Sequence, residues 1–142
     1  MATIRHILEV KGRQVHTTLA DAPVLDAIRT MADQDIGALV VVEDSRPVGI
    51  ITERHYARDV FLKGRASPTT RVGDIMQRDL VTIGPDETVE RCMGLMTERR
   101  VRHLPVMDDG RLAGIVSIGD LVKSIIADQQ FTIEQLQDYI RS

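Results

Sequence analysis

A mixed α/β (α+β) fold of two tandem β-α-β-β-α units packed face to face is predicted by three observations. The sequence repeats itself: a shift of 65 residues aligns Thr17–Arg58 with Thr82–Lys123 without a gap, and ten of the 42 aligned pairs are identical. Identities such as Val24/Val89, Met31/Met96, Leu39/Leu104, Val41/Val106, Asp44/Asp109 and Gly49/Gly114 concentrate on apolar and turn positions. Within each copy the apolar spacing changes in the same order, from a helical period to short continuous runs and back to a helical period. Two copies are too few for a solenoid, so each unit is expected to complete the other's core.

The elements follow in chain order. Ile4, Ile7 and Leu8 ahead of Gly12 predict a short amphipathic helix before the repeat. Thr17 and Thr82 open the first strand of each copy. Val24, Ile28, Met31 and Ala32 share one helical face, with Pro23 suited to the first turn; Val89, Cys92, Met93 and Met96 repeat it, with Asp86 and Glu87 at the positive end of the dipole. Ala38–Val42 and Leu104–Met107 read as buried strands, each followed by acidic and turn residues, and Val48–Thr52 and Ala113–Ser117 as the returning strands of two hairpins. Helices follow, with apolar stripes at Tyr56, Ala57, Val60 and Phe61 and at Leu121, Val122, Ile125 and Ile126. The polar stretch Lys63–Arg71 connects the copies, and Ile133, Leu136 and Ile140 behind a Thr132/Gln135 capping box predict a separate last helix. The organisation expected is a first repeat with its N-terminal helix over 1–62, a linker over 63–71, a second repeat over 72–127 and a C-terminal amphipathic helix over 128–142.

Composition narrows the function classes. At 15.8 kDa the chain can bury about two-thirds of its unfolded surface in one real core. No apolar run approaches the roughly 20 residues of a membrane span and the first ten residues lack a secretory signal, so no membrane association and a cytoplasmic location are expected. One cysteine permits no internal disulfide. A net charge of -3 and a 3% aromatic fraction argue against general nucleic-acid binding.

The residues able to carry chemistry sit where strand meets helix. Ser117-Ile118-Gly119-Asp120 places a hydroxyl and a carboxylate at a helix start. Ser117 with the amides of the first turn can receive a phosphate, and Asp120 can accept two hydrogen bonds from a ribose diol. A plain N-cap serine and first-turn acid are equally ordinary there. The first copy keeps the hydroxyl as Thr52 but has His55 in place of the carboxylate, with Arg54 beside it. A neutral imidazole there can meet a hydroxyl, a protonated one a phosphate, and a solvent-facing helical histidine is the competing reading. Four basic side chains, Arg99, Arg100, Arg102 and His103, precede Leu104-Pro105; the first pair suits a solvated rim, while Arg102 and His103 enter the strand and suit an anion. The four histidines show no metal-ligand spacing, Cys92 falls on an apolar face and no serine has a histidine and acid in recognisable order, so neither a catalytic residue nor a metal site is expected.

The ungapped repeat, the phrase RVRHLPVMDDGRLAGIVSIGDLV with its weaker twin DIGALVVVEDSRPVGIITERHYA, and VGDIM at Val72–Met76 opening the second copy resemble the paired CBS domains of a Bateman module over roughly Thr3–Ile126. The resemblance implies a regulatory module of tandem CBS repeats packed through their sheets with pseudo-two-fold symmetry, two clefts between the repeats that take adenosine-containing ligands such as AMP, ADP, ATP, NAD or S-adenosylmethionine, and a homodimer assembled through helices. It implies that Ser117 is the phosphate-side hydroxyl and Asp120 the ribose acceptor, with Gly119 between them and Thr52 matching Ser117. Thr17 and Thr82 match positions lining the adenine pocket, and Gly37 and Ala38 match small residues that let a base approach; His55 departs from the family's Asp. Arg54, Arg102, His103 and Pro105 complete the ligand-binding set. The competing class is a homodimeric interaction scaffold with no bound nucleotide, acting on an unknown protein target. Paired CBS domains also occur inside inosine monophosphate dehydrogenase, but this length has no room for a barrel of roughly 250 residues.

Overall fold

Hairpin turns fix the two sheets. In the computed structural model, which describes residues 2–141, both turns hold two residues in the left-handed region, Asp44 (φ 50°) with Ser45 (φ 65°) and Asp109 (φ 51°) with Gly110 (φ 74°). Two such residues match the twist of the flanking strands, so each turn folds its apolar run back on itself. The chain divides into two units: Val15–Val81 forms the first, and the residues up to Gln14 together with those from Thr82 onward form the second.

The N-terminal helix α1 (Ile4–Lys11) thus packs with the second repeat, whereas chain order suggests the first. The first unit holds β1 (Thr17–Leu19), α2 (Val24–Gln34), β2 (Ala38–Glu43), β3 (Arg46–Thr52), α3 (Glu53–Tyr56) running into a π-helical turn at Ala57–Phe61, and α4 (Val72–Ile75). β1 pairs parallel with β2, and β2 antiparallel with β3, in the order β1-β2-β3. Leu39, Val41 and Ile51 from the sheet meet Val24, Ala27 and Met31 from α2, Val60, and Val72, Ile75 and Met76 around α4. All are buried, and each Leu, Ile, Val or Met contributes about 1.5–3 kcal/mol. The VGDIM segment therefore completes the first unit's core instead of opening the second unit.

The linker is not merely a spacer. Thr70 O and Ser67 O accept from Val24 N and Leu25 N at 2.8 and 3.2 Å, so it satisfies amides of α2's first turn that have no partner inside the helix. Pro23, expected within that turn, is the N-cap instead, its ψ of 142° lying outside the helix.

In the second unit, α1 is followed by α5 (Val89–Arg99), β4 (His103–Asp108), β5 (Arg111–Ser117) and α6 (Ile118–Arg141). The expected strand at Thr82 is reduced to a parallel bridge between Ile83 and Val106, leaving a two-stranded sheet, β4-β5. Ala2 O accepts from Val89 N at 3.1 Å, and Thr3 bridges Thr88 as Arg71 bridges Pro23. The segment leading each repeat therefore docks on the body of the other repeat, in the same way both times. Glycine permits both dockings: a Cβ on Gly114 would lie 2.7 Å from Leu8 Cδ2, and one on Gly49 would lie 2.7 Å from Gln77 O.

α6 is one continuous helix of 24 residues, not two. Thr132 Oγ1 donates to Asp128 O at 3.0 Å, the i−4 bond of a threonine inside a helix, so the presumed capping box is helix interior. Leu121 is buried near its start, whereas Ile126, Phe131, Ile133, Leu136 and Ile140 are exposed.

Candidate functional site

In the second unit β5 ends at Ser117 and α6 begins at the next residue. Ser117 N donates to Asp120 Oδ2 at 2.8 Å, and Asp120 N donates back to Ser117 Oγ at 3.2 Å. This reciprocal box fixes both side chains at the junction. Ile118 N donates to Arg102 O at 2.9 Å, drawing the residue ahead of β4 to the same point, and His103 pairs with Ser117 across the hairpin. Two first-turn amides that sequence reasoning left free for a phosphate, those of Ile118 and Asp120, are thus already bonded, because the neighbouring strand and the box reach them first.

A cation completes the junction. Lys11 Nζ, at the last residue of α1, lies 2.7 Å from Asp120 Oδ2 and 2.8 Å from Ile115 O. Burial alone pushes the Asp120 carboxyl up, but hydrogen bonds from Lys11 and from Ser117, together with the Lys11 charge, outweigh it and hold the group below its ordinary range. His103 is lowered by burial and by the Lys11 charge, against an opposing pull from Asp120, so its imidazole is neutral at pH 7. Arg102 and Gly119 are exposed, and Pro105 is buried in β4, its carbonyl accepting from Ile83 N at 3.1 Å.

The first unit repeats the arrangement in uncharged form. His55 N donates to Thr52 Oγ1 at 3.2 Å, and Thr52 N donates to His55 Nδ1 at 3.1 Å. An Nδ1 that accepts carries no proton, so the imidazole is neutral and does structurally what the Asp120 carboxylate does. The residue is 9% exposed, which corrects the alternative of a solvent-facing histidine; burial and the Arg58 charge lower it, while Asp59 and a hydrogen bond with Gln77 act the other way. Gln77 also exchanges backbone bonds with Ile50, the repeat counterpart of Ile115, at 2.9 and 3.0 Å. Gln77 with His55 thus parallels Lys11 with Asp120.

Of the remaining candidates, Gly37 and Ala38 join the first junction. Ala38 pairs with Thr52, Glu53 N donates to Gly37 O at 3.1 Å, and Thr17 stands opposite Val40 on β1, with Thr17 and Arg54 exposed. Thr82 is exposed beside the Ile83 bridge. Arg99 and Arg100 are exposed, with Arg100 closing α5 in the left-handed region (φ 55°) as Asp35 (φ 54°) closes α2. Lys11 escapes sequence reasoning because it lies outside the repeat; its one signal is its place at the end of an amphipathic helix ahead of Gly12.

Comparison with known proteins adds the family context. A family model described as CBS domain matches residues 4–61 and 72–127. The chain is 39% identical over 148 residues to the CBS domain-containing protein CBSX3, mitochondrial, of Arabidopsis thaliana, covering 98% of this chain and 72% of that protein. It is similar to the solved structure of a putative signal-transduction protein with CBS domains from Burkholderia ambifaria MC40-6, at 50% identity and a TM-score of 0.87, covering 93% of this chain and 99% of that one. A CBS domain pair solved in complex with 5-methylthioadenosine and S-adenosyl-L-methionine shares the fold at 23% identity and a TM-score of 0.79, covering 90% and 98%. Among the described residues, no helix is long and apolar enough to cross a membrane.

Proposed function

The chain belongs to the CBS-domain family, and from that premise we propose that it is a regulatory sensor whose second-repeat junction binds an adenosine-containing ligand: AMP, ADP, ATP, NAD or S-adenosylmethionine. The observation that carries the reading is the Ser117–Asp120 box, which holds a carboxylate ionised at the mouth of a strand-to-helix turn. Asp120 accepts from the ribose hydroxyls, Ser117 Oγ donates to a phosphate oxygen, and Arg102 supplies exposed positive charge for the same phosphate. Gly119 leaves open space beside the Ser117 hydroxyl, since even an added Cβ there would meet nothing closer than Ser117 Oγ at 3.6 Å. Thr82 serves the adenine in the second unit, and Thr17, Gly37, Ala38, Thr52 and Arg54 serve the weaker first-repeat junction, where the buried neutral His55 offers no carboxylate. The role is binding and signalling in the cytoplasm, without catalysis and without a resident cofactor. Support comes from the solved relative described as a putative signal-transduction protein and from the pair complexed with two adenosine compounds.

Thermal melts with each of the five ligands test the reading. A ligand at about 100 times its Kd adds some 2.7 kcal/mol, or several degrees at about 3 °C per kcal/mol for a chain this size. Asp120→Ala should weaken the tight binding event about tenfold or more, because charge-assisted hydrogen bonds contribute roughly 1.5–3 kcal/mol each. Flat melts with all five would favour a second reading, a homodimeric scaffold for another protein. The exposed Ile126, Phe131, Ile133, Leu136 and Ile140 of α6 favour self-association in either case. Light scattering should then report twice 15.8 kDa, and Ile133→Lys should reduce it toward the monomer.

A further inference from the structure

Lys11 is placed by packing. Ile4, Ile7 and Leu8 bury α1, and Leu8 fits against Gly114, so the helix delivers its last residue to the same spot each time. An ammonium has three donors. Two are directed at Asp120 Oδ2 and Ile115 O, which leaves one for a ligand oxygen. The side chain is 35% exposed, so solvent and solute reach the ammonium.

Local charge decides what that donor prefers. Lys11 and Asp120 cancel, the exposed Arg102 adds one positive charge and the neutral His103 adds none, so the junction presents net positive charge to anything seated on Asp120. On an adenosine whose diol meets Asp120, the 5′ substituent lies about one sugar ring from the ammonium held on that carboxylate, a distance over which its charge still acts. In the first unit Gln77 and His55 occupy the corresponding places without charge, so the feature is confined to the second.

We propose that Lys11 is a specificity residue of this site, selecting adenosine ligands that carry a 5′-phosphate over those whose 5′ group is neutral or cationic. The inference rests on the adenosine reading of the Asp120 junction. Attraction between an ammonium and a phosphate favours AMP; the same ammonium contributes nothing to a neutral thioether and repels a sulfonium.

Calorimetry with AMP and with 5′-methylthioadenosine, which share the nucleoside and differ at the 5′ position, tests it on the full chain and on Lys11→Met and Lys11→Arg. Lys11→Met should weaken AMP about tenfold while leaving 5′-methylthioadenosine within about twofold, and Lys11→Arg should keep the preference for AMP. Raising the salt concentration should weaken AMP in the parent chain more than in Lys11→Met. Equal weakening of both ligands would make Lys11 a mere support for α1, and an unchanged ratio would remove its selective role; either outcome overturns the inference while the adenosine reading stands. A parent chain that binds neither compound overturns both.

Discussion

The two glycines shared by the repeats are not equally replaceable. A Cβ at Gly49 would lie 3.0 Å from Met76 Sδ and 2.7 Å from the Gln77 carbonyl oxygen, the latter about 0.7 Å inside the 3.4 Å at which ordinary contact begins. The oxygen is backbone, and Gln77 is held to Ile50 by bonds of 3.0 and 2.9 Å in both directions. Relieving the clash must lift this segment, stretching two hydrogen bonds of about 1 kcal/mol each and disturbing the buried Met76 and Ile75. With the two stretched bonds losing about half their worth, about 1 kcal/mol together, and an overpacking cost of about 1–3 kcal/mol, Gly49→Ala should lose about 2–4 kcal/mol. At Gly114 the 2.7 Å neighbour is Leu8 Cδ2, the tip of a side chain that can turn, so Gly114→Ala should lose about 1 kcal/mol. Thermal unfolding followed by circular dichroism should therefore show a fall of about 6–12 °C for the first variant and about 3 °C for the second. Equal losses, or the reverse order, would refute the distinction between backbone and side-chain obstruction.

Three further outcomes are expected. His55 is held neutral below its ordinary 6.5 by burial, so the unfolded chain takes up a proton that the folded chain resists; stability should fall as pH drops from 7.5 to 5.5, and His55→Asn should reduce that slope in urea titrations, the lowered His103 keeping the remainder, a slope left unchanged counting against it. The Cys92 thiol is buried and pushed up to about 11, mainly by burial, so a disulfide reagent should label it no faster than the chain unfolds, and rapid labelling of the native protein would contradict this. Ser45 sits at φ 65° where the second repeat has Gly110, so Ser45→Gly should stabilise by about 0.5–1 kcal/mol, read as a rise of about 2–3 °C in melting midpoint; a fall would show that the turn carries no strain.

Much of the site was legible because a box is a local object. A hydroxyl and an acceptor three residues apart at a strand-to-helix turn meet whatever surrounds them, which is why Ser117/Asp120 and Thr52/His55 could be picked from spacing. What each box residue faces is not local. Whether His55 lay in solvent or in the interior depended on distant segments, Gln77 among them, coming to it in the fold, and burial then lowered it.

The sequence by itself determined the repeat, the hairpins with their two-residue turns, and the helical faces of α2 and α5, since each is set by residues within a few positions of one another. Only the tertiary structure decided which body each leading helix completes. α1 and α4 both offer apolar faces, and Gly114 and Gly49, the same residue in both repeats, admit a docked segment on either body, so the choice lies with the long-range packing that seats Leu8 against the one and the Met76–Gln77 segment against the other. The same packing brought Lys11 to Asp120 across more than a hundred residues of chain, and it carried α6 straight through Thr132, because a threonine hydroxyl satisfied by the carbonyl four residues back has no need to begin a new helix.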